Sequence, residues 1–188
     1  MTNPISWKRT LDYLRADAAR YFIRKNVPLW YALAVFFHSS GLQFSFWYRI
    51  ERYLLFNSFA GFRVIGYAWY PIYFCFTYYV LDYHIEPYVD IDGGLFLHNR
   101  SIVITDNTVI GKNSSIMGQV TIGTGFKTNH FKINIGNNVQ IGAGAKIIAK
   151  GRLKIVSDVT IGANAVVVKD ILQPGTYVGI PVKKIDNR

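Results

Sequence analysis

With 188 residues, 51% of them hydrophobic and 17% charged, the chain is long enough for one well-buried domain with an extension, and its composition excludes a disordered or fibrous protein. A formal charge of +10 favours anionic partners such as an acidic membrane surface, an acidic glycan or a phosphate-bearing small molecule. Nucleic acid is not an expected partner, because no zinc-finger spacing, basic helix or RNP-type sequence is present to place side chains on bases. Cys75 is the single cysteine, which excludes an intramolecular disulfide and any C-x-x-C spacing. Charged positions Asp12, Arg15 and Asp17 stand where a signal peptide would carry an apolar run, so the expected location is cytoplasmic.

Residues 1–83 read as an aromatic-rich helical region. Leu11, Leu14, Ala18, Tyr21 and Phe22 recur at helical spacing with charges between them, which predicts an amphipathic helix over 9–25. Pro28 ends or restarts it, and residues 29–37 and 42–55 follow as further helices with Gly41 between them. Residues 61–83 contain only Arg63 and Asp82 as charges and are long enough to span a bilayer. Gly66, Pro71 and an excess of Tyr over Leu favour instead a helix capping the domain that follows. A third arrangement lays the aromatic rings and basic residues peripherally on an acidic inner membrane leaflet.

From position 85 an aliphatic residue recurs at a stride of six: Ile85, Ile91, Leu97, Ile104, Ile110, Ile116, Ile122, Ile135, Ile141, Ile147, Ile155, Ile161 and Val167, with three breaks. Four places after an anchor stand Thr108, Ser114, Val120, Val139, Ala145, Val159 and Ala165, a second inward column. Three places after it stand Asn107, Asn113, Gly125, Asn138, Gly144, Asp158 and Asn164, residue types that tolerate a positive φ at a corner. A period of six fits short strands joined by sharp turns, three strands to a triangular coil, with each coil covering the edges of the last. The domain expected from this is mainly β, a parallel β-helix over 84–170 with a loop at 126–134 leaving its wall, followed by a tail at 171–188.

Three segments carry a resemblance: Ile135-Gly-Asn-Asn-Val-Gln-Ile-Gly-Ala-Gly-Ala-Lys146, Val159-Thr-Ile-Gly-Ala-Asn-Ala-Val-Val-Val-Lys-Asp170 and Gly179-Ile-Pro-Val-Lys-Lys-Ile185. They resemble the serine acetyltransferase-like hexapeptide-repeat acyltransferases, and Gly41-Leu-Gln-Phe-Ser-Phe-Trp-Tyr-Arg-Ile50 is similar to the helical segment before that family's repeats. The resemblance implies a left-handed β-helix, a homotrimer, acetyl-CoA as co-substrate lying along the coils, and no metal. Handedness is implied by the resemblance alone, since crossovers between parallel strands are ordinarily right-handed.

Transfer of an acetyl group to a hydroxyl needs a base, and the histidines available are His38, His84, His98 and His130. His98, in Gly94-Leu-Phe-Leu-His-Asn-Arg-Ser-Ile-Val-Ile104, matches the family's catalytic-histidine segment, and His130 resembles its second, substrate-facing histidine. The family's orienting aspartate lies in an Asp-Ile-His-Pro segment; here it reads His84-Ile85-Glu86-Pro87, leaving Glu86, Asp92 or a backbone carbonyl to hold the imidazole. For the donor, the resemblance points to Gly123, Thr124, Ala143 and Ala163 along the pantetheine arm and to Lys183 and Lys184 at the phosphates. Leu97 stands where serine acetyltransferases have an acid that holds serine, so the expected acceptor is a hydroxyl of a sugar or polysaccharide, closer to the polysaccharide O-acetyltransferase branch. The alternatives are serine or another small hydroxyl acceptor, a non-catalytic β-helix scaffold, and a zinc-holding hexapeptide carbonic anhydrase, which would need well-placed histidines throughout the repeats.

Overall fold

The computed structural model describes residues 4–22, 27–124 and 131–185. Helix α1 (Trp7–Ala19) begins at Ser6, whose hydroxyl accepts from the amide of Arg9, and α2 (Leu29–His38) follows Pro28. Ser39 caps α3 (Ser40–Leu55) in the same way. The expected break at Gly41 is therefore absent. That glycine lies in the first turn of α3 because a β-carbon there would stand 2.5 Å from the Leu97 carbonyl oxygen and 2.6 Å from the Tyr21 hydroxyl. Helix α4 (Ala60–Cys75) carries Pro71 internally and runs into a π turn over Phe76–Val80. No helix among the described residues is long and apolar enough to cross a membrane.

The rest of the chain winds as a left-handed parallel β-helix with three walls. The first wall stacks β1 (Tyr83–Ile85), β4 (Ile102–Ile104), β7 (Thr121–Thr124), β10 (Lys146–Ala149) and β13 (Val166–Val167). The second stacks β2 (Asp90–Ile91), β5 (Thr108–Ile110), β8 (Lys132–Ile135) and β11 (Arg152–Ile155). The third stacks β3 (Phe96–Leu97), β6 (Ser115–Ile116), β9 (Gln140–Ile141), β12 (Val159–Ile161), β14 (Gly175–Val178) and, antiparallel to β14, β15 (Lys183–Ile185).

All thirteen anchors of the six-residue stride face the interior and are at most 3% exposed. Full burial of such a side chain contributes roughly 1.5–3 kcal/mol, so the column is the main apolar support of the prism. The second column is buried as well, from Thr108 to Ala165. At the breaks in the stride its place is filled two residues before the next anchor, by Ile102, Ile133 and Leu153. Asn107, Asn113, Asn138, Gly144, Asp158 and Asn164 all take positive φ at the corners, while Gly125 lies outside the described residues. Stacked corner side chains bond one another, Asn113 Nδ2 to Asn138 Oδ1 at 3.4 Å and Asn138 Nδ2 to Asp158 Oδ1 at 2.9 Å.

Two boundaries differ from expectation. The end of the expected loop at 126–134 is strand: Lys132–Ile135 pairs with β5 and β11, because Ile133 and Ile135 alternate inward as every other wall strand does. The expected tail at 171–188 continues the prism: Ile171 is buried and bridges to Ile155, and β14 stacks on β12. The irregular spacing after Val167 hides this coil from a search at a stride of six.

The first coil has no coil above it, and α1 and α3 supply the missing partners. Tyr48 Oη donates to the Val89 carbonyl at 2.6 Å, Arg49 donates to the carbonyls of Ile91 and Asp92, and Arg52 to those of Pro87 and Val89. Asp17 does the converse, accepting from the amides of Gly94 at 2.7 Å and Leu95 at 2.8 Å, and from Arg49 Nε at 2.9 Å. Phe44 and Tyr48 close the apolar core beneath this layer. The cap on the prism is thus α3, not the expected helix over 61–83; α4 lies outside it, with Gly66 packed against Leu54 and Leu55. The polar face formed by Tyr48, Arg49 and Arg52 is what selects α3 for the position.

Both Asp17 and Arg49 are almost fully buried, so removing one leaves the other as an uncompensated charge. Asp17→Ala is expected to lower stability by about 3–5 kcal/mol, measured by urea denaturation. Glu51 on α3 is buried with neither carboxylate oxygen bonded, and burial pushes its pKa up from 4.5 to about 7. Between those values the folded chain keeps a proton that the unfolded chain releases, so stability falls as pH rises through that window and then levels off. Glu51→Gln is expected to remove this fall, raising Tm by a few degrees at pH 8 and leaving it nearly unchanged at pH 4.

Candidate active site

An open cleft of about 410 Å³ runs along the outer face of the third wall, from Arg20 and His98 at the first coil, past Ser115 and Met117, to Gly142 and Ala163. Its floor is low because the third wall turns its small residues outward at the corner. Gly142 has no room for a β-carbon, which would stand 2.6 Å from the amide nitrogen of Ala163 one coil below. Ala143 and Ala163 are exposed at this corner.

His98 follows the buried anchor Leu97 and projects into the cleft. Its amide donates to the Ile116 carbonyl at 2.8 Å, which ties the residue to the second coil, and its ring meets Phe96 edge-on at 4.2 Å between centroids. The helical region fixes the same segment from above. Tyr21 Oη accepts from the Leu97 amide at 2.9 Å, and its ring lies 4.5 Å from Phe96. Burial pushes the Tyr21 phenol well above its ordinary range, so it stays a neutral hydroxyl. Arg20 reaches the cleft beside it, donating from Nη2 to Ser115 Oγ at 2.7 Å and from Nη1 to the Gly94 carbonyl at 3.3 Å. Sequence reasoning missed Arg20 and Tyr21, which sit at the end of an ordinary amphipathic helix with no local motif.

Within one chain nothing described orients the imidazole of His98. Glu86 follows β1 at a different corner and accepts from the Tyr78 hydroxyl at 3.5 Å, so it does not hold His98 of the same chain. Asp92 is bonded by Tyr13 at 2.6 Å, and no backbone carbonyl accepts from the ring among the described residues. His130 lies outside the described residues.

The candidate donor residues divide by wall. Ala163 lines the cleft that holds His98, Ala143 follows its lining residue Gly142, and Lys183 and Lys184 lie exposed on β15 at the far end of the same sheet. From β3 to β14 is four coil steps, roughly 19 Å at a strand spacing of about 4.8 Å. Lys184 Nζ stands 3.4 Å from Gln173 Oε1. Gly123 and Thr124 end β7 on the first wall and are not brought to this cleft by the same chain. The small size of Gly123 has an internal cause, since a β-carbon would stand 2.7 Å from Thr105 Oγ1. Leu97 faces the core and contacts nothing in the cleft, so a charged acceptor must be met by other residues. No three His, Cys, Asp or Glu side chains converge as a metal site among the described residues.

The fold and cleft define a left-handed β-helix of the hexapeptide-repeat type with a helical cap and a histidine at the mouth of an outer-wall groove. No family model matches the chain. It is 42% identical over 99 residues to a serine acetyltransferase of Staphylococcus aureus (strain Mu50), covering 52% of this chain and 46% of that protein. The structure resembles the serine-bound serine acetyltransferase of Neisseria gonorrhoeae with a TM-score of 0.75 and 29% identity, over 94% of this chain and 69% of that one. It also resembles the coenzyme A complex of the Brucella abortus strain S19 enzyme with a TM-score of 0.77 and 25% identity, over 95% and 68% of the two chains. The chain spans about half the length of the curated relatives it matches.

Tyr21→Phe keeps the ring packing on Phe96 but leaves the Leu97 amide without its acceptor. The expected cost is about 1–2 kcal/mol, read from thermal or urea unfolding.

Proposed function

We propose that the protein is an acetyl-CoA-dependent O-acetyltransferase whose acceptor is a small hydroxyl compound of the serine type, with His98 as general base. The observation that carries this reading is the placement of His98 at one end of a groove whose other end carries exposed Ala163, on the sheet that continues to the lysines of β15. A long donor with its thioester at His98 and its phosphates toward Lys183 and Lys184 fits along that wall. The relatives and structures matched are serine acetyltransferases, which favours the small acceptor over the glycan expected from charge and from Leu97.

Acetyl-CoA supplies the acyl group as an activated thioester. His98 takes the proton from the acceptor hydroxyl as that oxygen bonds to the acyl carbon, and the same imidazolium returns the proton to the departing sulfur. The Ile116 carbonyl, Phe96 and Tyr21 hold the histidine's backbone and ring in place while this happens.

The reading includes a homotrimer. Gly123, Thr124 and Glu86 lie at the ends of first-wall strands, a corner away from the groove, so they would serve it only from a neighbouring copy. Glu86 or a residue of that neighbour would then orient His98.

Incubating the protein with acetyl-CoA and L-serine is expected to release free thiol, and His98→Ala to slow that release by about 100-fold or more. Thiol release only with an oligosaccharide acceptor would return the glycan reading. A scaffold would release none and would show no thermal shift with coenzyme A, where saturation at about 100 times Kd adds ~2.7 kcal/mol to a binding protein.

A further inference from the structure

The groove beside His98 is electrostatically one-sided. Arg20 is the only charged side chain lining it among the described residues, and the lining holds no carboxylate. Arg20 is half-buried, and no aspartate or glutamate among the described residues forms an ion pair with it. Its two hydrogen bonds go to neutral oxygens, Ser115 Oγ and the Gly94 carbonyl, and its guanidinium lies 5.7 Å over the Phe96 ring, the ring that also meets His98. A guanidinium fork has more N–H donors than these contacts use, in a planar arrangement that suits a carboxylate. It is also held on both sides, by the first coil through Gly94 and the second through Ser115, so little order is lost when it binds.

Position narrows what the charge recognises. The groove runs down the coils toward β12, whereas Arg20 follows α1 and bonds the first two coils at Gly94 and Ser115, beside Phe96 and His98. It also borders a second recess of about 470 Å³ between α1 and α2, lined by Val35, His38 and Phe96. Whatever touches Arg20 therefore lies at the His98 end of the groove, away from Ala163.

We infer that Arg20 is the acceptor-specificity residue and that it binds the carboxylate of a small hydroxy acid, the carboxylate and not an ammonium group being the charge this chain's groove recognises. This rests on the acetyltransferase reading above. Serine satisfies it through its carboxylate, and a hydroxy acid without an amine, such as glycerate, satisfies it equally.

The test compares L-serine and glycerate with serinamide and ethanolamine as acceptors, following thiol release from acetyl-CoA. The wild-type protein is expected to use both acids and to disfavour both compounds that lack a carboxylate by about 10- to 100-fold in kcat/KM. Arg20→Gln should raise KM for L-serine by a similar factor and leave KM for acetyl-CoA and the rate with serinamide unchanged, and Arg20→Lys should recover part of the loss. A purely structural role for Arg20 would lower turnover of acids and amides alike. Serinamide used as well as L-serine by the wild type, or an Arg20→Gln loss shared by acids and amides, overturns the assignment while leaving acetyl transfer intact. Binding of coenzyme A without transfer to any of these hydroxyls overturns the acetyltransferase reading, and the assignment with it.

Discussion

A stack of β coils is stable only if its open edge is covered, because each wall strand presents a row of backbone groups that the next coil would bond. Here the uppermost edge is covered by charge of both signs. Arg49 and Arg52 lie over the carbonyls of Pro87, Val89, Ile91 and Asp92, and Asp17 lies over the amides of Gly94 and Leu95. The Asp17–Arg49 pair joins the two halves of this layer, so α1, α3 and the first coil form one hydrogen-bonded unit. Such a pair is not needed for apolar stabilisation, which the anchor column supplies. Its contribution is to specify where the helices sit, as buried ionic groups do elsewhere when they set register.

The candidate site inherits its geometry from this layer. Asp17 fixes the end of α1, and the next turn delivers Arg20 and Tyr21 to the groove at His98. Gly41 lets α3 approach the Leu97 carbonyl closely enough that Tyr21 can reach the same segment. Of the helical region, Arg20 just past α1 lines the groove. Coils set the far end of the groove, where small residues at a repeated corner leave the surface low, and the segment after α1 sets the end at His98.

Much of the fold was legible because a β-helix is nearly one-dimensional. Each anchor from Ile85 to Val167 contacts its counterpart one coil away, so position in the repeat alone predicts burial. Corner residues were legible for a local reason, since Asn, Asp and Gly are the types that accept positive φ. The coil containing Ile171 and the strand at Lys132–Ile135 were misread because a count carried forward from the last anchor fails across an insertion; counting back from the next anchor places Ile133 and Leu153 correctly. His98 was singled out by its segment, and it lines the groove. Arg20 was not, because its partners Gly94 and Ser115 are 74 and 95 residues away and helical spacing carries no trace of them. The orienting acid was sought at Glu86, which the coil places at another corner with Tyr78.

The seam between cap and prism also divides evolutionary freedom. Gly142 and Gly123 are locked into the six-residue repeat, where a side chain would collide with the neighbouring coil. Arg20 is under no such constraint: it follows the last turn of α1, and its two contacts are to oxygens that tolerate another donor or water. Exchange of one residue there would alter the charge at the mouth of the groove without disturbing a single stacked coil.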